Sequence, residues 1–87
     1  MESIWVFPVF VGDFTLNMPL GAEVLSTQVQ NGQPVLWAKV DTGAPIVERR
    51  FAVRGTGHQL TGDEGNFVGT FQFPNLSLVY HLFEERI

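Results

Sequence analysis

Cysteine is absent from this 87-residue chain. Disulfide staples and thiolate metal sites are thereby excluded, and two histidines cannot close a conventional zinc site without carboxylates. Charge is scarce as well: 16% of the residues are Asp, Glu, Lys or Arg, and nine acidic against five basic residues leave a net charge of −4. A molecule of that sign repels phosphate backbones, so general nucleic-acid binding is not expected. No apolar run is long enough for a membrane span. The first, in MESIWVFPVFVGDF, follows Glu2 rather than a basic segment, is broken by Pro8 and stops at Gly12-Asp13. The chain therefore reads as cytosolic, with nothing removed and no contact with a membrane. A nucleophile with a base and an orienting group is missing too. Ser26 and Ser77 fall in strand-like runs without a cue for activation, so no catalytic residue is assigned, and neither a cofactor nor a metal is expected.

What the chain does have is apolar surface. Hydrophobic residues make up 45% of it, with eight Phe, two Trp and one Tyr. Its length suits one domain spanning residues 1–87. A chain this short hides only about 60% of the surface its unfolded form exposes, so its core is marginal. Stability must come from dense packing or from a partner chain.

No stretch keeps a 3.6-residue apolar period. Short runs rich in Val, Ile, Phe, Trp and Thr instead recur between Gly, Pro, Asn and Asp clusters, which is an all-β pattern. The runs predict strands over Ser3–Val11, Asp13–Met18, Val24–Gln30, Gln33–Val40, Ile46–Arg54, Phe67–Gln72 and Leu76–Phe83. Ala22–Gln30 also fits a helix face, but its β-branched Val24, Thr27 and Val29 favour a strand. The expected fold is an antiparallel sandwich or barrel-like sheet of about six to seven strands.

Asn31-Gly32, in VQNGQP, supplies the two positive-φ positions of a type I′ turn and sets a hairpin register. Gln30 then faces Gln33, Gln28 faces Val35, Thr27 faces Leu36, Ser26 faces Trp37 and Leu25 faces Ala38. Leu25, Thr27, Val29, Leu36 and Ala38 form the expected core face. Trp37 stands on the other face among Ser26, Gln28, Gln30, Val35 and Lys39.

Two further strands carry apolar residues on both faces. Leu76, Leu78, Tyr80 and Leu82 oppose Val79, His81 and Phe83 in the last, and Ile4, Val6 and Phe10 oppose Trp5, Phe7 and Val9 in the first. Such strands belong between packed layers or at a subunit interface. A homo-oligomer is expected, most simply a twofold dimer, with Trp37, Val79, His81 and Phe83 at the interface.

Three motifs carry candidate chemistry. VDTGAP, residues 40–45, has the look of a retroviral-type aspartic protease loop. That enzyme needs a later apolar pair running into a cradling glycine, and LVYHLFEERI contains no glycine, so Asp41 to Pro45 reads as a turn. In ERRFAVRGTGH, strand alternation puts Arg50 and Arg54 on one face beside Gly55, Thr56, Gly57 and His58. Guanidinium forks and turn N–H groups there would suit a phosphate or carboxylate, although no P-loop spacing is present, and the alternative is a solvated strand face running into an ordinary turn. GDEGN, residues 62–66, reads as a solvated hairpin tip at which a charge reversal of Glu64 is silent. His81 reads as a satisfied core or interface histidine.

The segments IWVFPV, MPLGAEVLSTQVQNGQPVLWAKVD, RGTGH, FVGTFQF and LVYHLFE together resemble a family of small phage- and prophage-encoded β proteins of unknown function, over nearly the whole chain. Where that family runs from Val-Asp directly to proline, Thr42-Gly43-Ala44 intervenes here, which places the protease-like string in a tolerant loop. The resemblance implies a phage accessory protein, acting in the host cytosol and countering host defence by binding. It would sequester a small anionic, nucleotide-type signal or occlude a host protein. The alternative is a structural accessory piece of a virion or phage complex.

Overall fold

The computed structural model describes residues 1–85, and each of the seven expected runs contributes a strand, although the first ends at Pro8 and leaves Val9-Phe10-Val11 outside it. The seven are β1 (Glu2–Pro8), β2 (Gly12–Pro19), β3 (Glu23–Gln30), β4 (Gln33–Asp41), β5 (Ile46–Gly55), β6 (Asn66–Phe73) and β7 (Leu78–Glu84). All pairings are antiparallel. They build one sheet of order β1-β4-β3 and a second of order β2-β5-β7-β6. Strand ends moved where turn chemistry intervened: β7 starts at Leu78, not Leu76, because Ser77 takes a φ of 54° in the turn before it.

Asn31 and Gly32, with φ of 52° and 79°, make the hairpin turn between β3 and β4. The expected register holds from Gln30↔Gln33 to Ser26↔Trp37 and then breaks. A β-bulge at Leu25 brings Val24, not Leu25, opposite Ala38, so Val24 packs on the core and Leu25 is 46% exposed. The extra residue reverses the alternation for the rest of the strand. Because a β-branched residue resists the left-handed region, Asn31→Val should cost about 1–2 kcal/mol in urea denaturation, and Asn31→Gly close to nothing.

The two sheets share one core. Leu36, Ala38 and Val40 of β4 meet Leu16 and Met18 of β2, Phe51 and Val53 of β5, Phe71 of β6 and Leu82 of β7. Thr27 is buried among them, and its hydroxyl donates to the Val35 carbonyl at 2.7 Å, so that hydroxyl is not stranded. β3 runs beside β6, where a Cβ on Gly69 would lie 3.0 Å from the Thr27 methyl. β2 comes up to β4, which makes the pair of sheets barrel-like. β1 hangs on the far edge of β4, and none of its residues is buried.

Candidate functional site

On β5, Arg50, Ala52 and Arg54 point away from the core, in line with Thr15 and Asp13 of β2 on one side and Phe83 and His81 of β7 on the other. Beyond β5 the chain turns through Thr56-Gly57-His58 and a loop that ends at Gly65. A recess of about 240 Å³ is lined there by Arg54, Gly55, Thr56, Gly57, His58, Leu60, His81 and Phe83. A second recess of about 210 Å³ lies against Gly55, Thr56, His58 and the Ser77–Tyr80 segment. Arg54 to His58, grouped from the sequence, line the first recess together with His81 and Phe83, whereas Arg50 is not among its lining residues.

Most polar groups of that concavity already have partners. His81 bridges two hydroxyls, Thr56 Oγ1 at 2.9 Å from Nε2 and Thr70 Oγ1 at 2.9 Å from Nδ1. His58 lies over Gly55 and accepts its N–H at Nδ1, 3.3 Å away. Arg54 is gripped by two carboxylates: Nη1 donates to Asp13 at 2.8 Å and Nε to Glu64 at 3.2 Å. Asp13 first, then Glu64, raises its already high pKa. Arg54 therefore belongs to an internal ion triad rather than standing open for an anion. Arg50 is exposed, and among the described residues no ion pair holds it.

Glu64 overturns the reading of GDEGN as a solvated tip. It is 4% exposed, and its carboxylate accepts from the Thr61 N–H, the Thr61 hydroxyl and the Gly62 N–H, each at 2.9 Å, besides Arg54. The Thr61 N–H foremost, helped by Glu64's own N–H and the other donors, holds its pKa down to about 2 against the opposing pull of burial. The loop closes around this one side chain. Thr61-x-x-Glu64 has the spacing of a capping box, and that signal was present in the sequence although no helix follows. A second pair, Arg49 with Glu84, was also missed. It is bidentate at 2.6 and 2.8 Å and half-buried, and Arg49 also donates to the Ala22 carbonyl.

Asp41 serves its own turn. Its Oδ1 accepts from the Gly43 N–H at 3.0 Å and meets the terminal ammonium at 3.4 Å, which together lower its pKa, and Thr42 donates to the Met1 carbonyl. The four expected interface residues do not share a surface. Trp37 lies on the outer face of the β1-β4-β3 sheet, and Val79, His81 and Phe83 lie on the outer face of the other, across the core.

These features define an all-β, barrel-like module with a shallow, internally satisfied recess beside an aromatic sheet face. The chain belongs to a family described as a domain of unknown function, DUF7352, whose model matches residues 1–87. No curated protein and no solved structure matches it. Among the described residues no helix is long and apolar enough to cross a membrane.

Proposed function

We propose that the chain is a non-enzymatic binding protein that works by covering a protein partner with the outer face of β5, β7 and β6. The observation that carries this reading is Phe67. It is 60% exposed and packs edge-on against Phe83, ring centroids 5.8 Å apart, on an open sheet face beside Leu60 and His81. Exposed aromatics of this kind anchor protein interfaces. Size and charge argue against sequestering a nucleotide. The two recesses beside Arg54 are open and below the roughly 300 Å³ at which small-molecule pockets begin, and Arg54 is already neutralised. A larger open recess of about 570 Å³ is lined by Gly62, Asp63, Gly65, Asn66 and Glu85, whose carboxylates repel an anion. In the phage setting that the resemblance implies, the partner is a host defence protein in the cytosol, blocked by occlusion.

Affinity capture from host lysate with the unmodified protein, Phe67→Glu and Gln28→Glu tests this. We expect one protein to be retained by the first and third and lost, more than tenfold, with Phe67→Glu. The reading is overturned if Phe67→Glu retains it equally, or if a cyclic nucleotide or ADP-ribose derivative raises the melting temperature by several degrees while no protein is captured.

A further inference from the structure

Among the described residues no strand pairs with the outer edge of β1. Register and hydrogen bonds together fix which way its backbone points. The Thr42 N–H donates to the Met1 carbonyl and the Val9 N–H to the Pro34 carbonyl, so the odd-numbered residues of this strand bond to β4. Hydrogen bonding alternates along an antiparallel strand, and the even-numbered residues must therefore face the other way. The N–H groups of Glu2, Ile4 and Val6, and their carbonyls with that of Pro8, point out from the edge of the β1-β4-β3 sheet.

Sheet edges of this sort are normally blunted by charge, proline or a bulge. Here the only charge is Glu2 and the only proline is Pro8, one at each end. Between them lie Ile4 at 60% exposure, Trp5 at 37% and Val6 at 54%, apolar on both faces of the strand. The second sheet does not reach over to cover them, because its edge strand β2 comes up to β4.

We propose that β1 pairs antiparallel with β1 of a second copy, with Trp5 on the twofold axis, joining two three-stranded sheets into one of six strands. In that register Ile4 of one copy faces Val6 of the other and both bonds form, while the Glu2 N–H meets the Pro8 carbonyl. Every outward donor then has an acceptor, and the donor that proline lacks falls at the rim. Trp5 meets Trp5 in a non-hydrogen-bonded pair, where side chains approach most closely. Charge selects the direction. Parallel pairing would set Glu2 beside Glu2, whereas antiparallel pairing holds them six residues, roughly 20 Å, apart, about two Debye lengths. This surface is separate from the aromatic face of β5, β7 and β6, and the inference does not rest on the binding reading.

Two measurements on the full chain decide it. Light scattering at about 100 µM, a concentration suited to a small interface, should give twice the chain mass, and Ile4→Lys should return it to one. Amide hydrogen exchange adds a readout that a folding defect cannot imitate. Ile4 and Val6 should be protected at high concentration and exchange freely on dilution or in Ile4→Lys, while Trp5 and Phe7 stay protected throughout. A monomeric unmodified protein, fast exchange at Ile4 and Val6 at high concentration, or a dimer that survives Ile4→Lys would each overturn the proposal.

Discussion

Gly65→Ala should cost about 3–5 kcal/mol, a melting temperature lower by roughly 12 °C or more in a domain of this size. Two effects add at this exposed position. The φ of 97° excludes an ordinary side chain, and a Cβ there would fall on the carbonyl oxygen of Glu84 and crowd the Glu85 Cα. Neither neighbour can retreat easily. Glu84 pairs with Asn66 across the ladder and clamps Arg49 through its side chain, and the Glu85 N–H donates to the Arg50 carbonyl at 2.9 Å. Gly57→Ala separates the two effects, because Gly57 has a φ of 88° but open space around its Cα. It should lose only the backbone term, about 1–2 kcal/mol. Thermal denaturation followed by circular dichroism measures both. Equal losses would show that the close approach at Gly65 is not what sets the cost.

The strands and the first hairpin were legible because their signals are local. Asn31-Gly32 needs only its own φ preferences, and alternation shows in any run of five residues. The bulge at Leu25 was not legible, since either Leu25 or Val24 could fill the core position and only the neighbouring strand chooses. Burial of strand faces was misread for the same reason. β1 and β7 look alike in sequence, both two-sided, yet β7 is central in its sheet and β1 is an edge beyond the reach of the other layer. The candidate site was half visible. Arg54 to His58 are consecutive and could be grouped by eye, but Asp13, Thr70 and His81 reach them only through strand pairing across 41, 16 and 27 positions of the chain, from Arg54 in each case. That pairing also decides chemistry: Arg54 looked free because the residues that neutralise it are distant or were taken for a solvated tip.

Glu64→Lys, far from being silent, should lower the melting temperature by more than roughly 10 °C. The substitution removes the acceptor of two backbone N–H groups and a hydroxyl, and it sets a cation against Arg54, which then has only Asp13. Glu64→Gln keeps the shape and one acceptor oxygen but not the charge, and about half that loss is expected. Acid distinguishes the charge from the shape. The folded carboxyl titrates at about 2, below its ordinary 4.5, so its contribution to stability is fully present above pH 4.5 and is lost as the pH falls towards 2. The unmodified protein should therefore lose stability across that window faster than Glu64→Gln does, and the difference between their melting temperatures should shrink steadily from pH 5 to pH 2. Asp41, whose pKa is also lowered, is present in both proteins and cancels in the comparison. A gap that stays constant through the window would mean that the loop is held by packing around residue 64 and that the carboxylate, for all its donors, is not what closes it.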